Sequence, residues 1–390
     1  MSKALALRNA ALRLASREGA DLDLLSSAKL SERFAAAIIP FLPERGAALL
    51  LGTSTPGLAA ELADAVAVRT RTMTVIEADP ALSEQNLAAT PGTDRSRAAR
   101  LINIGDPTDL RTDPEWADTL VAQSRPSSYA DFQALSNRIA KLAAEAPLVP
   151  DDSVSLVVVD MLSNRLPPEQ IRALLSEAFR VLSRGGSVVM TALLADEPVA
   201  ADAAVDIGGW RASGFPLETE IVDWLDRAGF HGMTYHTVLD RPVRTVQGVE
   251  IRGFVIEASK GKQGICLDVG HAVIYRGPWR EVLDDDHHRY VRGERTAVCA
   301  KTYDLLMRRP YGEQFIGLPA YQEVPLDQAL LFDCNMPTLR SPAVTKGRVP
   351  VGAVRSSTVP MAADCCAPAP GAANATTNCC DPAAPGGGCC

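Results

Sequence analysis

Apolar and polar positions along this chain follow two periods in turn. Leu5, Leu7, Leu12 and Leu14, and later Phe34, Ile38, Ile39 and Phe41, recur at helical spacing. They predict two amphipathic helices within residues 1–44. A Pro-Glu-Arg-Gly turn at 43–46 leads into a continuous apolar run, 47–52, as expected of a strand buried on both faces. A helix over 58–68, a strand over 71–79 that ends in an acid, a helix over 81–88 and a strand over 99–104 continue the series. Residues 106–150 interrupt it with a long insertion, helical over 129–146. A strand at 151–160, a helix at 170–182, a Gly185-Gly186 turn with a further strand, a helix at 217–228 closed by Gly229 and a strand at 249–258 complete it. Strands alternating with helices imply an α/β fold with a parallel sheet, in which Leu49, Val75, Ile102, Val157 and Val189 are expected to be buried.

Past residue 260 the pattern changes to short strands and tight turns. Ala272 to Tyr275 form an apolar run, and Gly277-Pro278 a turn. The acidic run Asp284-Asp285-Asp286-His287-His288 follows, then Arg292-Gly293-Glu294-Arg295 and a strand ending at Cys299. This predicts a smaller C-terminal α+β module over 261–334. The acid–histidine run lacks metal-ligand spacing and reads as a solvated turn. Residues 335–390 are rich in Ala, Pro, Gly, Ser and Thr and are expected to form a disordered tail. The organisation expected is thus N-terminal helices over 1–44, a sheet domain over 45–260 with its insertion, the module and the tail.

Composition narrows the function. The 390 residues are 47% hydrophobic and 22% charged, which suits a globular chain of about two domains. A net charge of −8 disfavours a nucleic-acid partner. No apolar run reaches the length of a membrane span and no signal peptide is evident, so a cytoplasmic location without a membrane partner is expected. The nine cysteines are unevenly placed. Six form adjacent pairs in the tail: Cys365 with Cys366, Cys379 with Cys380, and Cys389 with Cys390. Adjacent cysteines make poor structural bridges and cytoplasmic thiols stay reduced. The six therefore read as ligands for a soft metal or metalloid. Cys299 and Cys334 read as a buried strand end and a loop residue.

A glycine turn after the first strand and an acid after the second are what a nucleotide-binding sheet needs. Gly52, Ser54, Asp79 and Asp160 are the candidate cofactor contacts. The stretch from Asp151 to Met190, with its Arg180-Val181-Leu182-Ser183-Arg184-Gly185-Gly186 segment, resembles class I methyltransferases that use S-adenosylmethionine (SAM). Residues 272–302, the Phe332-Asp333-Cys334 triplet and the cysteine-rich tail together resemble bacterial arsenite SAM methyltransferases. The resemblance implies a Rossmann-like sheet, SAM as cofactor, a thiol reductant, and methyl transfer to an As(III)–thiol complex or a related small acceptor. Departures from the family pattern are specific. Leu50 stands where an acid is usual in the first strand, and Ser54 and Pro56 replace later glycines of the loop. Met161 and Asp206 fall where the family carries its core thiols, and residues 1–260 contain no cysteine. The alternative is therefore a non-catalytic relative that binds As(III) or another soft ion through vicinal cysteines.

Overall fold

The computed structural model describes residues 27–43, 46–55, 57–67, 72–79, 99–102, 105–200, 204–207, 210–322, 324–334 and 339–352. The expected helices over 5–14 and 81–88 and the six tail cysteines lie outside these residues. In chain order, the sheet domain is built from α1 (Ser27–Ile38), β1 (Ala47–Leu51), α2 (Leu58–Ala67), β2 (Thr72–Ile76), β3 (Ala99–Ile102), α3 (Pro114–Ser124), α4 (Tyr129–Glu145), β4 (Val154–Asp160), α5 (Pro168–Val181) and β5 (Leu182–Ala195). It continues through β6 (Val205–Ile207), β7 (Trp210–Ala212), α6 (Glu218–Arg227), β8 (His231–Val238), β9 (Arg244–Val246) and β10 (Val249–Ser259).

The main sheet runs in the order β3-β2-β1-β4-β5-β10-β8, with β9 paired to β10. β1 to β5 are parallel, and β10 is antiparallel to both β5 and β8. The order 3-2-1-4-5 is that of a doubly wound nucleotide-binding sheet. With its antiparallel addition it is a class I methyltransferase-like, Rossmann-type α/β fold. Neighbouring residues on one strand feed opposite faces. Leu50 and Val158 pack with Phe34, Leu58 and Leu62 of α1 and α2 on one face. Leu49, Leu51, Val157 and Val159 pack with Ile171, Leu174 and Leu175 of α5 and with Ile221 and Leu225 of α6 on the other. Both faces are covered, so the central strands carry apolar runs, Ala47–Leu51 in β1 and 156–159 in β4. Leu49, Val75, Val157 and Val189 are all buried. The insertion carries α3 as well as the expected helix; Ser128 and Asp131 close a capping box that starts α4.

The module follows as β11 (Leu267–Asp268), β12 (Ala272–Tyr275), β13 (Glu281–Leu283), β14 (Arg289–Val291), β15 (Arg295–Ala297), α7 (Ala300–Leu306), β16 (Phe315–Leu318), β17 (Leu330–Leu331) and α8 (Pro342–Thr345). β12 lies between β15 and β16, and β11 pairs with β17. Val273, Tyr275, Tyr290, Val298, Leu306 and Phe315 form its core. The expectation of disorder from residue 335 onward is corrected over 339–352. Arg340 is buried there and meets Asp268 at 2.6 Å, its backbone N–H donates to Arg295 at 2.7 Å, and α8 follows. Low hydrophobicity hid this segment, because one buried ion pair rather than an apolar stripe anchors it.

The acid–histidine run is a hydrogen-bonded turn. Asp284 accepts from the backbone N–H groups of Asp286 and His288 at 3.0 and 2.9 Å, lies 2.8 Å from His288 Nδ1, and accepts from the Tyr290 hydroxyl at 3.1 Å. Asp285 accepts from Gly232 N–H at 2.6 Å and so ties the turn to the start of β8. Burial works against the Asp284 carboxylate, but the His288 bond and charge hold it below its ordinary value. The same bond holds the His288 imidazole above its own. The carboxylate's contribution is present above the ordinary carboxylate range and lost in acid. The imidazole's is present below about pH 6.5 and lost as pH rises through its raised value. Urea unfolding should therefore show a lower midpoint at pH 9 than at pH 5.5. Asp284→Ala should cost about 1–3 kcal/mol at the lower pH through the donors it strands, and should narrow the difference between the two pH values.

Candidate functional site

Two arrangements of polar groups stand out, at opposite edges of the sheet. The first is the loop after β1, at the C-terminal ends of the parallel strands, where α/β sheets bind ligands. Gly52 turns the chain with φ of +77°, and a Cβ there would lie 2.8 Å from the Leu162 side chain. Both facts require glycine. Asp160, at the end of β4, is fully buried. Its carboxylate accepts from Thr55 N–H at 2.7 Å, Thr55 Oγ1 at 2.8 Å and Thr191 Oγ1 at 2.7 Å. Burial pushes the Asp160 carboxyl up from its ordinary value, opposed by the Thr55 and Thr191 bonds.

Glu77, buried at the end of β2, accepts from Thr53 N–H at 2.7 Å and Thr53 Oγ1 at 2.6 Å. Ser54 is buried and its hydroxyl accepts from Arg165 at 3.1 Å. The Arg165 guanidinium also stands 3.6 Å from Glu77 and 3.5 Å from Asp79. Gly52, Ser54, Asp79 and Asp160 thus gather at one edge. Asp160 and Ser54 face inward, whereas the Asp79 side chain is 40% exposed. Sequence reasoning missed Thr53, Thr55, Glu77 and Arg165. Glu77 was legible as the first acid after the second strand; Arg165 comes from beyond β4 and carried no local signal.

SAM would need donors and acceptors on this edge. The described loop residues are poorly suited to it, because Thr53 and Thr55 turn their N–H groups onto Glu77 and Asp160 while Arg165 bridges Ser54 to Asp79. A ligand here competes with that bridge, and charge-assisted bonds are worth about 1.5–3 kcal/mol each. Arg165→Ala should therefore bind S-adenosylhomocysteine about tenfold more tightly than the unaltered chain, by calorimetry. Micromolar binding by the unaltered chain would contradict the closed loop.

In the second arrangement Cys299 is buried just past β15 and Cys334 lies in the loop after β17, as expected, and Cys266 joins them. The Sγ atoms of Cys266, Cys299 and Cys334 all lie within 4.8 Å of one another, and none is in a disulfide. The topology brings them together. Cys266 immediately precedes β11, and Leu267 pairs with Leu331 of β17; Phe332 N–H then donates to Cys266 C=O at 2.9 Å. Cys334 follows two residues later. Cys299 is brought in by β15, whose Ala297 pairs with Ala272 of β12. Such pairing leaves no short-range motif, which is why spacing did not reveal the cluster.

Cys299 is buried, lies 3.1 Å from the Thr302 hydroxyl and accepts from Thr302 N–H at 3.4 Å. At Cys266 burial raises the thiol pKa, but the Cys334 hydrogen bond and the Lys301 charge outweigh it and hold the group below the ordinary thiol value. Burial and the bond to Cys266 push Cys334 the other way. The two thiols are thus pushed apart, Cys266 toward easier and Cys334 toward harder ionisation. Among the described residues no His, Asp or Glu joins the three sulfurs.

The cluster belongs to the edge opposite the loop after β1. Lys301, two residues after Cys299, donates to Gly264 C=O at 3.1 Å, on the connection leaving β10. β10 ends at Ser259 opposite Ser187, near the start of β5. From that edge to Asp160, β4 alone spans about 20 Å.

A family described as a domain of unknown function (DUF8838) matches residues 262–350. No curated protein matches. Among solved structures, the arsenic(III) S-adenosylmethionine methyltransferase CrArsM of Chlamydomonas reinhardtii is 16% identical, with a TM-score of 0.41 over 74% of this chain and 88% of that one. A SAM-dependent methyltransferase of Methanosarcina mazei is 19% identical, with a TM-score of 0.37 over 57% of this chain and 96% of that one. The glycopeptide N-methyltransferase MtfA is 14% identical, with a TM-score of 0.36 over 61% and 98%. The strand order, not these likenesses, carries the fold. Among the described residues no helix is long and apolar enough to cross a membrane.

Proposed function

We propose that this chain captures a soft trivalent metalloid, As(III) being the type case, through Cys266, Cys299 and Cys334, on a methyltransferase fold whose cofactor loop is held closed. The observation that supports this reading is the convergence of the three sulfurs within 4.8 Å. Sulfur is the ligand of choice for soft ions. A single ion with sulfur bonds of about 2.3 Å would need only a modest contraction of the cluster. Three thiols with no fourth protein ligand among the described residues suit a three-coordinate ion better than the closed four-ligand site of structural zinc. Capture needs the cysteines reduced, so a thiol reductant belongs to this reading.

A second reading is SAM-dependent methylation of a metalloid–thiol complex or another small acceptor. Gly52 at the first turn and the half-exposed Asp79 favour it. Such an acceptor would have to meet the cofactor at the C-terminal edge, where Met161 stands and offers no thiolate, and not at the three-cysteine cluster about 20 Å or more away along the strands.

The test is a titration with arsenite and, separately, with SAM, on the full chain, on a chain ending at residue 352, and on Cys299→Ser in both. The proposal expects the shortened chain to keep the tightest arsenite site and Cys299→Ser to weaken that site by about tenfold or more, the loss of one charge-assisted ligand contact. Loss of arsenite binding on shortening would move the site to the six tail cysteines. Tight SAM binding with arsenite-dependent turnover would favour the second reading.

A further inference from the structure

The module does not close flush against the N-terminal edge of the sheet. A cleft of about 30 Å³ lies between them. One ordered water needs about 10–15 Å³, so the cleft has room for two waters or for part of a small oxyanion. Its lining is basic, with Arg184, Lys260, Lys301, Arg308 and Arg309 against the single acid Asp304.

These cations are not equivalent. Lys260 Nζ is spent on Asp152 at 2.7 Å and on Leu182 C=O at 2.6 Å. Arg309 faces Glu257 at 3.4 Å and the Phe41 ring at 4.8 Å, and Lys301 donates to Gly264 C=O. Among the described residues no carboxylate pairs with Arg184 or Arg308. Both are exposed at the mouth. The Arg308 guanidinium lies over Gly185, so close that a Cβ there would come within 3.1 Å.

The inner wall carries an unanswered polar atom. His231, the first residue of β8, is 1% exposed and lines the cleft, and its Nε2 has no hydrogen-bond partner. Its Nδ1 lies 3.3 Å from the Tyr311 hydroxyl. The Asp285 carboxylate, which only accepts, acts on that hydroxyl and favours its protonated form. With the hydroxyl proton drawn to that carboxylate, we assign the ring proton to Nδ1, which leaves Nε2 a lone pair facing the cleft. Burial, with the Lys262 charge second, lowers the imidazole pKa to about 4, so the ring is neutral in ordinary buffers.

Two unpaired guanidiniums ask for an anion, and a buried lone pair asks for an acidic O–H. Fully ionised sulfate or a phosphomonoester dianion answers only the first. Hydrogen phosphate answers both. We infer that this cleft is a binding site for a protonated tetrahedral oxyanion, gripped by Arg184 and Arg308 and read by His231 Nε2. It uses none of the three sulfurs, although Lys301 on its wall is also the cation beside Cys266.

The experiment is calorimetry at pH 8 on the full chain with inorganic phosphate, sulfate and methyl phosphate. The expected result is saturable phosphate binding, about tenfold or more tighter than sulfate or methyl phosphate, the size of one charge-assisted hydrogen bond. The double variant Arg184→Gln, Arg308→Gln alters exposed side chains only and should weaken phosphate about tenfold or more. His231→Phe should remove the preference over sulfate. Absence of saturable phosphate binding at millimolar concentration, equal affinity for the three anions in the unaltered chain, or an unchanged affinity in the double variant would each overturn the inference. The comparison of anions on the unaltered chain keeps the test decisive even if His231→Phe fails to fold.

Discussion

The direction of one strand governs where chemistry can happen in this molecule. β10 runs against β5, pairing Ile251 with Ala195 at one edge and Ser259 with Ser187 at the other. The chain that leaves β10 therefore emerges at the N-terminal edge of the parallel strands. The module has to dock there, and Asp285 on Gly232, Arg309 on Glu257 and the Arg308 guanidinium over Gly185 are the contacts that result. The glycine turn after β1 is committed to the other edge by the same sheet polarity. A thiol centre inside the module and a cofactor loop after β1 are thus held apart by the length of the strands, and no side-chain rotation joins them.

Satisfaction of buried polar groups explains the state of the cofactor edge. Asp160 and Glu77 are buried carboxylates in a sheet of apolar side chains, and each would be costly there without donors. Thr53, Thr55 and Thr191 supply them from the loop itself and from β5. What makes the loop stable also uses up its hydrogen-bonding capacity.

Much of the sheet was legible in the sequence because burial on both faces writes itself as unbroken apolar runs, as at 47–51 and 156–159. Gly52 and Asp79 were legible because a first turn and a strand-end acid are local features. The three-cysteine centre was not. Its members meet only through the antiparallel pairing of β11 with β17 and of β12 with β15, and the two-residue strands Leu267–Asp268 and Leu330–Leu331 are too short to show a period. Arg340 was hidden for a similar reason: a single buried ion pair orders a segment whose composition resembles a linker. His231 is buried as a packing residue would be, yet its nitrogen without a partner faces a cleft whose other walls lie far along the chain.

One soft ion is proposed to sit among three sulfurs, of Cys266 just before β11, Cys299 just after β15 and Cys334 in the loop after β17. X-ray absorption at the arsenic edge, on a chain ending at residue 352 loaded with one equivalent of arsenite, tests it most directly. The account predicts three sulfur neighbours and no oxygen in the first coordination shell. An arsenic atom bound to one or two sulfurs with oxygen completing the shell would contradict it.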